Sequence, residues 1–384
     1  MRINSISPKF HTNSYIKPQQ AQMPAVNNAQ ETFTFPSYSL CKVAFLGKNH
    51  VHSEVDNIDY FRFKQMSPNA KEFYRKKCEI YHRTAIEKEL QNKDKKHLPL
   101  MDDKSMKQFI DVCNIYKNMK DSPIICLGRS PKWFLNGALW LKDGIENYKF
   151  VAFSGHWYPR DLRTNDLYKC EKFAPTEEEK KAYKRYLNKV GASPEDIVEV
   201  CKKTGKKVVI TDYIGFGKGF CSFLDLMSEY AEEDGILEEF ANSIRIVTIG
   251  CEEYRSEFFH PEDDIPYPRV QMPERLREYS NVIEQEYHDM PLNVFEQMLI
   301  NENTNECRST YYPHEAWTAY KPYNVKTGMI GKKKLEELRE KNPRYLNNFT
   351  PAMCDFRNLL NFRILDYMEQ NGILRESLNS KQWD

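Results

Sequence analysis

At 384 residues the chain has room for two or three domains, or for one core with large additions. Its 56 Lys and Arg stand against 55 Asp and Glu, and the resulting net charge of +1 sets up no long-range field toward nucleic acid or an anionic membrane surface. No apolar run reaches the ~18 residues that a membrane span needs. The 10 cysteines are scattered singly, without a C-x-x-C pair, and several sit inside apolar runs. They read as small core residues of a reduced compartment, which predicts a cytoplasmic protein without a zinc site or disulfide frame.

Residues 1–55 are rich in Asn, Gln, Ser and Pro and show no basic-then-apolar leader pattern, so a weakly ordered tail is expected. From 56 to 120 the pattern is helical. Ser67-Pro68 reads as a cap followed by proline at the first helical position, and Phe73, Ile80, Ala85 and Ile86 form the expected apolar stripe.

The centre, 121–255, alternates strand and helix. Apolar runs at 123–127, 148–153, 208–211 and 244–249 are separated by a Ser130-Pro131 helix start, a Ser193–Asp196 capping box closed by Gly205, and an amphipathic stretch from Phe220 to Glu233. This predicts an α/β core, mainly a parallel sheet with helices on both faces, whose strand-to-helix loops share one edge. Residues 256–384 read as a helical C-terminal addition. Its clearest helix starts at Thr350-Pro351, carries Met353, Phe356, Leu360, Ile364 and Met368 on one stripe, and stops at Asn371-Gly372. An aromatic connection, Tyr311–Trp317, is placed to fold over the site.

Two loops carry chemistry. The first is Gly128-Arg129-Ser130-Pro131, where an arginine stands at a strand-to-helix turn. The second is Asp212-Tyr213-Ile214-Gly215-Phe216-Gly217-Lys218-Gly219, in which a strand ends on an acid and a glycine-rich turn opens a helix. It is neither a Walker A loop nor G-x-G-x-x-G, since Asp212 stands at the first glycine position and Phe220-Cys221-Ser222 follow. Three glycines with an acid and a lysine exceed what a plain turn needs, and a strand–glycine–helix junction presents backbone N–H groups to phosphate. His156, Tyr158 and Arg160 follow the second strand and are candidates for the same cleft. His260–Asp264 has metal-ligand residue types but reads as an acidic loop, and no metal ligand set is assigned. Cys126 and Cys221 lie in or beside apolar runs, without a triad partner. Thr176–Arg185 reads as a solvated helical face.

The order strand, Gly-Arg-Ser-Pro, helix, strand, insertion, strand-acid, glycine-rich loop, helix, strand resembles the type I phosphoribosyltransferases over about 121–255. Val208–Thr211 and Asp212 match the family's apolar strand and first acid, and Gly128-Arg129-Ser130 matches its pyrophosphate loop by position. Tyr213 replaces the second acid, and the loop lacks its usual hydroxyls, with Ser222 displaced. The resemblance implies a small-molecule partner, a phosphorylated ribose or nucleotide. Asp212 and Arg129 would be catalytic; Gly128, Ser130, Tyr213, Gly215, Gly217, Lys218, Gly219 and Ser222 would bind substrate, and Mg²⁺ would neutralise pyrophosphate. The departures leave two alternatives: a non-catalytic nucleotide- or partner-binding protein of the same fold, and an unrelated Rossmann-like enzyme acting on a phosphoester.

Overall fold

The structure, a computed structural model, describes residues 58–91, 100–128, 131–151, 153, 157–161, 166–253, 270–295, 297–298 and 351–378. The expectations for 1–55, Arg129, Ser130, Ser154–His156, His260–Asp264 and Tyr311–Trp317 lie outside the described residues. Among the described residues three helices precede the sheet: α1 (Tyr60–Gln65), α2 (Pro68–Gln91) and α3 (Asp103–Lys117). Five strands then form one all-parallel sheet. They are β1 (Ile124–Leu127), β2 (Tyr148–Val151), β3 (Val208–Tyr213), β4 (Ile244–Gly250) and β5 (Glu284–Asp289), in the order β2-β1-β3-β4-β5. The α/β architecture follows from the apolar runs, because strands buried on both faces carry Val and Ile at successive positions.

The fifth strand lies beyond 255, where a helical addition was expected. Its sequence, Glu-Gln-Glu-Tyr-His-Asp, shows no apolar signal, and β5, one of two edge strands among the described residues, has no buried position, unlike the other edge strand β2. Its acids are instead matched by cations of the neighbouring strand ends. Lys207 lies 3.0 Å from Glu284, and the Arg245 guanidinium pairs with Glu286.

The connecting helices are α4 (Lys132–Trp140), α5 (Glu177–Val190), α6 (Pro194–Thr204), α7 (Lys218–Glu233) and α8 (Leu237–Ser243). Capping boxes open α5 (Thr176 with Glu179) and α6 (Ser193 with Asp196). α5 is not solvated all round, since Ala182, Tyr183, Tyr186 and Leu187 turn inward. α4 ends at Trp140 rather than running on to Gly144, which sits in the following turn. There an added Cβ would fall 1.9 Å from the Ala138 carbonyl oxygen.

One face of the sheet, with Cys126, Val209 and Val247, is covered by α1, α3, α4, the short helix Leu292–Phe295 and the C-terminal helix Pro351–Gln370. The opposite face, with Ile125, Ile210 and Ile246, is covered by α5, α6, α7 and α8. Each aliphatic side chain withdrawn from water in these layers is worth ~1.5–3 kcal/mol. The terminal helices therefore share their core with the sheet. The backbone of Ile58 is clamped across 300 residues of chain, its N–H donating to Asn358 Oδ1 and its carbonyl accepting from the Asn361 amide, each at 2.8 Å. Arg75 grips the buried Asp366 with two donors, at 3.0 and 2.7 Å. On α2 the expected apolar stripe turns out differently: Phe73 and Ile80 are 44% and 49% exposed, and Cys78 faces inward. All these elements belong to one compact unit, Ser53–Asp384.

Ile364 is fully buried in the C-terminal helix. Ile364→Ala should lower the stability of the sheet and helices together by about 2–5 kcal/mol, in one thermal transition. Two transitions, with only the smaller one shifted, would show an independent helical addition instead.

Candidate functional site

The direction in which the chain leaves the sheet reverses between β1 and β3. From β1 the chain moves outward to β2 through α4 on one face, and from β3 it moves the other way to β4 through α7 and α8 on the opposite face. β1 and β3 are nonetheless direct neighbours, with Ile124 beside Val209 and Cys126 beside Thr211. In an open parallel sheet such a reversal leaves a crevice outside the carboxyl ends of the two strands, because the helices that follow diverge. The order 2-1-3-4-5 puts that crevice between the two loops singled out in the sequence.

On the β1 side, the Gly128 N–H still donates to Val151 O at 2.8 Å, and its φ of +62° then turns the chain out of the ladder in a conformation that favours glycine. Arg129 and Ser130 are not described. Lys132, the first residue of α4, is only 1% exposed, and its ammonium sits 4.5 Å from the Trp133 ring centre.

On the β3 side the strand ends on Asp212 and Tyr213. Ile214, Gly215, Phe216 and Gly217 form the turn, and α7 begins at Lys218. Gly217 has φ +70° and caps α7 without any side-chain hydrogen bond. The N–H groups of the first turn of this 16-residue helix are thus not satisfied by a cap. Gly215 has no left-handed φ, and a Cβ there would meet nothing within 4 Å. Neither backbone shape nor crowding demands glycine at 215, so its bareness matters only to something approaching from outside.

Asp212 keeps some exposure as a residue, but burial of its carboxyl pushes the pKa well above the usual carboxylate range. The opposing pull is a hydrogen bond from its neighbour's N–H, Tyr213 N to Asp212 Oδ1 at 2.8 Å. A carboxylate stripped of water gains strongly from an arriving cation or hydroxyl donor. Tyr213, at the position of the second acid in the phosphoribosyltransferase pattern, faces the other layer and stacks on Phe295 at 5.2 Å. Its ring is a packing element.

Three further expected residues resolve as follows. Ser222 is fully buried; its hydroxyl donates to Lys218 O at 2.9 Å and accepts from the Trp157 N–H at 3.2 Å. It fastens the 157–160 segment to α7 and does not reach the crevice. Tyr158 is 5% exposed within the same core, its phenol pKa raised by burial and then by Asp225. Arg160 does come to the loop, with its guanidinium 5.5 Å from the ring centre of Phe216. Lys218 lies 5.3 Å from the same ring.

Two residues went unread in the sequence. Asp225 is buried in α7 and receives the Trp157 indole N–H at 3.0 Å, with Lys169 at 3.3 Å and Arg275 at 3.4 Å. It ties the insertion before α5 and the 274–279 turn to the helix that carries the loop. A lone acid on the inward face of an amphipathic helix was the available signal. Phe216, 43% exposed, is the second, signalled by an aromatic ring between two turn glycines. The described thiols fit the core reading: Cys126 and Cys221 are buried, and burial raises their pKa values. Among the described residues no group of three or more His, Cys, Asp or Glu is arranged to hold a metal. No helix among them is long and apolar enough to cross a membrane.

Comparison with protein-family models, curated proteins and solved structures finds no match to this chain.

The carboxyl of Asp212 makes a stability prediction with a definite sign. Its folded pKa lies above the unfolded value near ~3.9, so its contribution to stability is lost as pH rises through that window and stays lost above it. Asp212→Asn should therefore raise the melting temperature at neutral pH, with the gain shrinking toward pH ~4. A variant less stable than the parent at neutral pH would contradict this environment.

Proposed function

We propose that the crevice between the carboxyl ends of β1 and β3 binds a phosphorylated ribose or nucleotide, in a phosphoribosyltransferase-like arrangement. The observation that carries this reading is the adjacency of β1 and β3 at the point where the chain reverses its direction across the sheet. That adjacency gives the Gly128 turn and the Asp212–Gly219 loop a common rim.

The division of labour follows from the groups present. The phosphate meets the N–H groups at the start of α7, with Lys218 adding charge and Gly215 and Gly217 allowing close approach. Asp212 accepts the ribose hydroxyls, whose donors compensate its desolvation. Arg129 would meet pyrophosphate by its place in the sequence.

A magnesium ion fits this rim in a limited way. Mg²⁺ commonly takes one or two carboxylates and completes its shell with water and substrate phosphates, and Asp212 is the desolvated carboxyl available here. The ion would neutralise pyrophosphate charge as the glycosidic bond to it breaks. In that transfer a nucleobase nitrogen would form the new bond to the ribosyl carbon as pyrophosphate leaves, and Asp212 would stabilise the positive charge that grows there. The second reading, binding without turnover, is favoured by Tyr213, which stacks on Phe295 where a second carboxylate would serve catalysis.

Calorimetric titration with phosphoribosyl pyrophosphate and magnesium tests the site. Binding heat and thermal stabilisation are expected, and both should fall at least about tenfold in affinity in Lys218→Met, the scale of a charge-assisted phosphate contact. Gly215→Ala should keep the parent melting temperature and lose affinity. Pyrophosphate release on addition of a nucleobase separates transfer from mere binding. Absence of heat and of stabilisation at millimolar ligand would refute the site.

A further inference from the structure

Phe216 is one of five large hydrophobic side chains exposed among the described residues. Phe73 and Ile80 lie on α2, and Tyr168 and Phe173 lie in the insertion before α5. Phe216 alone stands on the rim of the β1–β3 crevice, at the crest of the turn whose shape is set by Gly217. Single exposed apolar residues are ordinary, and exposure by itself says nothing. The neighbours of this ring are what distinguish it. Two cations from different parts of the chain, Arg160 of the insertion and Lys218 of α7, approach its centre to 5.5 and 5.3 Å. Arg160 is brought there by a two-sided anchor: its backbone bridges to Leu167, and residue 157 is bound to Ser222 of α7.

We propose that Phe216 is a stacking platform for the base of a nucleotide whose phosphate is met by Lys218 and Arg160. The proposal rests on the reading of the crevice as a phosphate site and names its ligand class as base-bearing. An aromatic face carries negative charge density and attracts cations, so the ring holds Arg160 and Lys218 beside it. Those cations present a charged border to a phosphate while the water-facing part of the ring is open to a flat π-system. A nucleotide offers both features a few ångströms apart, whereas a sugar phosphate offers one. Base–aromatic stacking tolerates different bases, so the platform selects for a base without choosing among purines and pyrimidines.

Adenosine 5′-monophosphate and ribose 5-phosphate, titrated into the full chain, decide the point. The parent protein should bind the nucleotide more tightly than the sugar phosphate. Phe216→Ala should weaken the nucleotide about fivefold or more beyond any loss it causes for ribose 5-phosphate, which measures the displaced cations alone. Phe216→Trp, which preserves a π-face, should restore nucleotide affinity. Equal loss for both ligands, or no loss for the nucleotide, would overturn the platform while leaving the phosphate site standing. Failure of both ligands to bind the parent would overturn the crevice reading itself.

Discussion

Two neighbouring parallel strands whose following helices depart to opposite faces cannot have their carboxyl ends roofed by either helix. In this chain that constraint falls on β1 and β3, and the rest of the site derives from it. α4 turns to one layer and α7 to the other, so the Gly128 turn and the Asp212–Gly219 loop are left facing a common gap. The insertion pinned by Ser222 and Asp225 then delivers Arg160 to the β3 side of that gap. Without the β1–β3 pairing, none of these groups would have reason to meet.

The rim carries groups that act against folding. A desolvated carboxyl at Asp212, a helix start at Gly217 without a side-chain cap and an exposed ring at Phe216 each lie away from their local optimum. Strain of this kind gathers where a structure serves something besides its own stability. Elsewhere several buried polar groups have named partners. Asp225, Asp366 and the Asn358–Asn361 clamp are buried with partners, and α5 and α6 have full capping boxes.

Much of the scaffold was legible in the sequence for simple reasons. Val208–Ile210 and Ile246–Val247 are apolar at successive positions because both faces of a central strand are covered, and Ser193–Asp196 announces a helix by its own hydrogen bonds. β5 was illegible because a polar outer strand draws its stability from cross-strand ion pairs such as Lys207–Glu284, which leave no periodic trace. The Phe73 and Ile80 stripe misled because helical spacing reveals which residues share a face, and the partner decides which face is buried. In the candidate site, residue type and order alone single out Asp212, Gly217 and Lys218. Tyr213, Tyr158 and Ser222 were assigned to ligand by proximity in sequence, yet strand alternation and helix packing turn them into the core. Phe216 and Asp225 carry faint sequence signals, whose partners Arg160, Trp157, Lys169 and Arg275 appear only when distant segments are brought together.

A structure of the protein with a bound nucleoside monophosphate is the most direct test of this account. The account predicts the phosphate against the first turn of α7, beside Lys218, with the ribose hydroxyls toward Asp212 and the Gly128 turn on the opposite wall. A nucleotide bound firmly elsewhere, with the β1–β3 crevice holding only water, would contradict it.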